Sequence, residues 1–137
     1  MLLRQITLDD SDFLYDLYMK RDPIDIITSI NYNKQENFVK NYLDNSDITP
    51  FQSWNIIEID GKKIGAVTLN KKNNEIGYWI LPEFQNKGFG TEAIQQFMDK
   101  NKKSYYTIRT HIDNKRSQHM AEKLKFKLSR YEYYLDP

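Results

Sequence analysis

One short run carries the residues best suited to bind an anion: Gln85, Gly88 and Gly90 within Gln85-Asn-Lys-Gly-Phe-Gly90. Glycine lets a ligand come close to the backbone because no Cβ stands in the way. If a helix starts here, its first N–H groups lack partners inside the helix, and its dipole adds partial positive charge at that end. Gln85, Asn86, Lys87, Gly88, Phe89, Gly90 and Thr91 would then offer amides to a phosphate or pyrophosphate, and Lys87 a charge. An isolated glycine pair more often only ends a turn, so the flanking sequence has to decide. Two other phosphate loops are excluded. No Gly-x4-Gly-Lys-Ser/Thr run occurs, and Gly-Phe-Gly lacks the third glycine of the dinucleotide fingerprint.

The elements around the loop favour a built site. Glu75–Leu81 reads as a strand stopped by Pro82, and Ala93, Ile94, Phe97 and Met98 mark an amphipathic helix after the glycines. Upstream, Leu2–Thr7 predicts a strand with Leu3 and Ile6 facing inward. Asp9-Asp10-Ser11-Asp12 predicts a helix start, and Phe13, Leu14, Leu17 and Tyr18 form a stripe ending near Arg21. Asp22-Pro23 breaks that helix, and Ile24–Tyr32 fits either a helical turn or an apolar loop. Asn33–Leu43 predicts a second helix with Phe38, Val39 and Tyr42 on one face. Trp54–Ile59 and Lys63–Leu69 form a hairpin around Asp60-Gly61, and Lys71–Asn74 turns into the third antiparallel strand. Tyr105–Thr110 alternates like a strand parallel to Glu75–Leu81, Asn114–Leu124 predicts the last helix, and Phe126–Leu135 a final strand. The order β-α-α-β-β-β-α-β-α-β is mixed α/β, with a mostly antiparallel central sheet and flanking helices, in one domain spanning residues 1–137.

Composition narrows the partners. Hydrophobic content of 39% and aromatic content of 14% suit a folded core. The absence of cysteine excludes disulfides and thiolate chemistry, and two histidines, His111 and His119, are too few for a histidine-rich metal site. We therefore expect no metal. Apolar runs are too short to span a bilayer and no signal-peptide layout opens the chain, so a cytoplasmic protein without a membrane partner is expected. Net charge is +1, but residues 1–70 carry 7 Lys/Arg against 11 Asp/Glu and residues 71–137 carry 13 against 8. The basic half suits an anionic ligand and the acidic half a cationic one; an ordinary solvated surface explains the split equally well. There is no basic excess of the kind a nucleic-acid binder carries.

The loop resembles the Gln/Arg-x-x-Gly-x-Gly/Ala segment of the GNAT family of acyl-CoA N-acyltransferases. The preceding Glu75-Ile-Gly-Tyr-Trp-Ile-Leu-Pro82 is similar to the branch with ribosomal-protein N-terminal and polyamine acetyltransferases. The resemblance is strongest from Trp54 to Phe126. It implies that the loop amides hold the coenzyme A pyrophosphate and that backbone around Trp79, Ile80 and Leu81 pairs with the pantetheine arm. It also implies that Glu75 stands where some relatives carry a general base, a strand-edge surface role being the alternative. Glu83, Glu58 and Asp60 are weaker candidates. The last helix, from Asn114 to Phe126, is similar to the family's Asn-x-x-Ser/Ala-x-x-x-Tyr-Glu-Lys-x-Gly-Phe run. That implies a cofactor contact for Asn114, which would equally serve as a helix cap.

Three departures bear on the chemistry. Ala121 stands where many relatives have the tyrosine that protonates the leaving thiolate, and Ser117, on the same helical face, is the substitute the resemblance offers. A serine is a poor acid, so its part could be limited to a hydrogen bond. Lys125 replaces the usual glycine. Only one strand with Tyr131, Tyr133 and Tyr134 follows Phe126, so the acceptor pocket is completed by that strand, left open, or closed by a second subunit in a homodimer. The reading is an acetyl-CoA-dependent N-acetyltransferase acting on a primary amine of a small molecule or protein N-terminus, by direct attack on the thioester. The alternative is a catalytically silent acyl-CoA-binding or regulatory module on the same fold. Loops 22–32 and 45–52 carry no motif that names the acceptor amine.

Overall fold

A computed structural model describes residues 1–20, 32–133 and 135. It holds a four-stranded antiparallel sheet in the order β1-β2-β3-β4, built from Leu2–Gln5, Phe51–Ile59, Lys62–Asn70 and Ile76–Ile80. Helices α1 (Ser11–Met19) and α2 (Tyr32–Leu43) lie between β1 and β2 in sequence; α3 (Phe89–Lys100) and α4 (Lys115–Lys123) follow β4. This is the mixed α/β architecture expected.

Period-two alternation on β4 divides the core. Ile76, Tyr78 and Ile80 belong with Val67, Leu69, Ile94 and Phe97 on the α3 side. Trp79 and Leu81 join Leu14, Leu17, Tyr18, Val39 and Trp54 on the α1 and α2 side. Leu3 and Ile6 are both buried, as the strand pattern predicts. Asp60 and Gly61 both take positive φ, 51° and 77°, the geometry that makes Asp-Gly a tight hairpin turn. Ile57 pairs with Gly65 but Glu58 with Lys63, so Ile64 is the extra residue of a bulge.

A knot of charge stitches the first elements together. Asp10, just before α1, accepts from Arg4 at 2.8 and 2.9 Å and from the Thr7 amide at 2.8 Å, and lies 2.7 Å from the Lys63 ammonium. Burial pushes its carboxyl upward, but the Arg4, Lys63 and Thr7 hydrogen bonds outweigh that and hold it well below the usual carboxylate range. Arg4 reaches Glu58 as well, at 3.0 Å, tying β1 to β2.

The expected elements differ from the structure in three places. Phe38 is exposed while Val39 and Tyr42 turn inward, so the apolar face of α2 is narrower than its sequence suggests. Tyr105–Thr110 is not a strand: it meets the sheet at one parallel bridge, Glu75 to Thr107, because the chain diverges from β4 beyond it. Phe126–Leu135 forms no strand among its described residues; without a ladder at 105–110 it has no edge to join, and Leu128, Tyr131, Tyr133 and Leu135 are exposed. The expectations for residues 21–31 and for Tyr134 lie outside the described residues.

Candidate active site

The divergence after Thr107 creates the site. Thr107 accepts from the Ile76 amide at 2.8 Å and donates its own to Asn74 at 3.1 Å, which closes one end. Past that bridge the far edge of β4 opens onto a cleft of about 690 Å³, walled by β4, the glycine loop, residues 109–111 and α4. Leu81 N–H goes to Ile64 and Glu75 C=O to Asn70, both on β3. By alternation, Ile76, Tyr78 and Ile80 direct their N–H and C=O away from β3, where Thr107 takes the Ile76 N–H and the Gln85 side-chain amide the Ile80 C=O. Of the three residues expected to meet a pantetheine arm through backbone, only Ile80 is so directed; Trp79 and Leu81 face β3.

The other end of the cleft is the glycine loop. Asn86 and Gly88 both adopt positive φ, 61° and 84°, and the chain then enters α3 directly. No side chain caps α3, and its first backbone bond runs from Glu92 N–H to Gly88 C=O. The amides of Phe89, Gly90 and Thr91 thus precede the first helical bond. A Cβ on Gly88 would have nothing within 4 Å among the described residues, so this face of the loop is open toward them. Gln85, Asn86, Gly88, Gly90 and Thr91 line the cleft. Lys87 and Phe89 turn aside: Lys87 lies 5.8 Å over the Phe84 ring and Phe89 packs on the core. Gln85 acts as a brace, giving its backbone N–H to Pro82, its amide to Ile80 C=O at 2.9 Å, and accepting from Arg116 of α4 at 2.8 Å.

Glu75 lies at the closed end, half-buried, with Oε1 held 3.0 Å from Arg109. Asn114 caps α4 by accepting from the Ser117 amide at 3.1 Å, and both are buried on the cleft wall. Ser117 Oγ is 2.5 Å from the Tyr78 hydroxyl. Glu58 is committed to Arg4, while Asp60 and Glu83 are outside the cleft lining. His111 and His119 are exposed at its rim. Tyr78, Arg109 and Arg116 were not singled out from sequence. Alternation along β4 already puts Tyr78 on the opposite face to Trp79, but its partner is 39 residues away and no spacing rule reaches it.

The uncapped start of α3 is thus continuous with a strand edge exposed by a diverging neighbour. The sequence matches the Acetyltransferase (GNAT) domain over residues 1–127, and the chain belongs to that acetyltransferase family. Solved structures share the fold. A ribosomal-protein α-N-acetyltransferase in complex with coenzyme A aligns at a TM-score of 0.71 and 17% identity, over 88% of this chain and 76% of its own. A mutant spermidine N-acetyltransferase from Vibrio cholerae aligns at 0.73 and 20%, over 90% and 78%. An aminoglycoside 6'-N-acetyltransferase from Acinetobacter haemolyticus aligns at 0.72 and 14%, over 100% and 98%. No curated protein matches the sequence.

Proposed function

We propose that this protein transfers the acetyl group of acetyl-CoA to a primary amine of a small molecule or protein N-terminus, by direct attack of the amine on the thioester. The observation that carries this reading is the continuity of the uncapped, glycine-opened α3 start with the open edge of β4. The amides of Gly88 to Thr91 suit the pyrophosphate, and the Tyr78 and Ile80 backbone suits the amide-rich pantetheine arm. From Glu75, just before β4, to Ile80 at its end the backbone spans about 17 Å at ordinary strand rise. The acetyl group then sits partway toward Glu75, whose carboxylate attracts the acceptor amine and takes its proton. Arg109, sharing that carboxylate, holds it in place. Asn114 and Ser117 form the wall facing the arm.

The acceptor is a primary amine without further definition. By their names, three relatives of comparable similarity act on a ribosomal protein, on spermidine and on an aminoglycoside. What they share is an amino nitrogen. We infer a cytoplasmic enzyme in which residues 1–137 act as one domain; a homodimer is one way to complete the acceptor side.

The test is coenzyme A release from acetyl-CoA against polyamines, aminoglycosides and N-terminal peptides. Release that depends on one amine class supports the reading and names the acceptor. Acetyl-CoA binding without release for any amine would leave a silent acyl-CoA-binding module in its place.

A further inference from the structure

Acetyl transfer expels a thiolate, and the cleft has to supply or admit a proton for it. Arginine does not deprotonate in proteins, which removes Arg109 and Arg116. Lys123, His111 and His119 are exposed on the rim. Tyr18 is buried behind Trp79, its ring 4.9 Å from the indole, and does not line the cleft. Among the described cleft residues, Tyr78 and Ser117 form a hydroxyl pair within the wall, 2.5 Å apart, one from mid-β4 and one from α4. Ser117 is buried and its backbone amide is held by Asn114, whereas Tyr78 is partly exposed.

The chemistry of the two hydroxyls separates their parts. A phenol titrates near pH 10 and an alkyl thiol near 8.5, close enough for a proton to pass as the carbon–sulfur bond lengthens. An aliphatic alcohol is a far weaker acid. With Ser117 as donor to the phenol oxygen, that hydrogen bond strengthens as negative charge builds on the oxygen.

We propose that the Tyr78 hydroxyl, positioned by Ser117, donates the proton to the leaving thiolate; this rests on the acetyl-transfer reading above. The amine nitrogen forms the new C–N bond while the C–S bond breaks and its electron pair leaves on sulfur. Sulfur takes the phenolic proton, the amine's proton passes to Glu75, and bulk water restores both groups. Tyr78 is thus a catalytic residue contributed by the strand, and Ser117 a positioning residue.

Two measurements test this on the full chain. Coenzyme A and desulfo-coenzyme A, which lacks the thiol, are titrated calorimetrically onto wild type, Tyr78→Phe and Ser117→Ala. Wild type should favour coenzyme A about fivefold, as one hydrogen bond to sulfur implies, and Tyr78→Phe should bind the two equally. With the fastest amine of the panel, Tyr78→Phe should lose about 100-fold in kcat with little change in KM for acetyl-CoA. Ser117→Ala, which keeps the phenol, should lose about tenfold, and the double variant should be no slower than Tyr78→Phe alone. Wild type binding both ligands equally, Tyr78→Phe retaining kcat within twofold, or additive losses in the double variant would each overturn the proposal. Wild type binding neither ligand would instead sink the coenzyme A reading itself, and the proposal with it.

Discussion

The two edges of β4 show how one strand can serve the fold and the site at once. Toward β3, every residue from Ile76 to Ile80 is in register, and the approach at Gly65 is so close that a Cβ there would lie 2.2 Å from the Trp79 carbonyl oxygen. Toward residues 105–110, pairing stops after the bridge to Thr107. The closed edge belongs to a sheet tied by the Asp10 knot. The open edge faces the basic half of the chain, the glycine loop and α4. A sheet that stops pairing at one residue leaves backbone polar groups directed away from the ladder, and the saturated side supplies the rigidity.

Breaking the closed edge should have the largest effect. Gly65→Ala puts a methyl group into backbone that cannot retreat without parting β3 from β4, and we expect a loss of about 3 kcal/mol in urea unfolding. The Asp10 knot comes next. Asp10→Asn removes the negative charge that Arg4 and Lys63 share and replaces one acceptor oxygen by an NH2 donor, and because both cations are partly solvated we expect about 2 kcal/mol at neutral pH. The sign of its pH dependence is fixed by the depressed carboxyl. Its contribution is fully present above the ordinary carboxylate value near 4 and lost as pH falls below it. The gap between wild type and Asp10→Asn in unfolding free energy should therefore narrow from pH 7 to pH 3, with coenzyme A affinity at neutral pH unchanged. The smallest effect sits on the open side. Lys125 has φ 73° and follows α4, with Lys125 N–H on Glu122 and Phe126 N–H on Ala121. That is a left-handed helix stop, where glycine is unstrained. Lys125→Gly should raise the melting temperature by a few degrees, about 1 kcal/mol.

These residues also show how far the sequence could be read. Local geometry was legible: Asp60-Gly61 is the hairpin turn, Leu14, Leu17 and Tyr18 are a buried stripe, and Gly88 precedes a helix. Lys125 was visible as a departure from the glycine of its relatives, and its positive φ supplies the reason. What the sequence did not reveal depends on tertiary contact. Residues 105–110 alternate like a strand, but pairing depends on where the chain is carried, and it leaves β4 after one bridge. The aromatic residues 131 and 133 look like a strand or a core and are exposed. The links from Tyr78 to Ser117 and from Glu75 to Arg109 join residues 39 and 34 apart, beyond any helical or strand period.

On the proposal above, the open edge and the glycine loop together bind coenzyme A. That binding is tested most directly by titrating coenzyme A onto wild type, Gly88→Ala and Gly88→Glu. Both variants strain the backbone at φ 84°, but only glutamate extends a negative charge into the open face of the loop. Wild type should bind, Gly88→Ala should lose less than tenfold, and Gly88→Glu should lose about 100-fold, close to 2.7 kcal/mol. Equal affinity for wild type and Gly88→Glu, or no binding by wild type, would contradict the proposal.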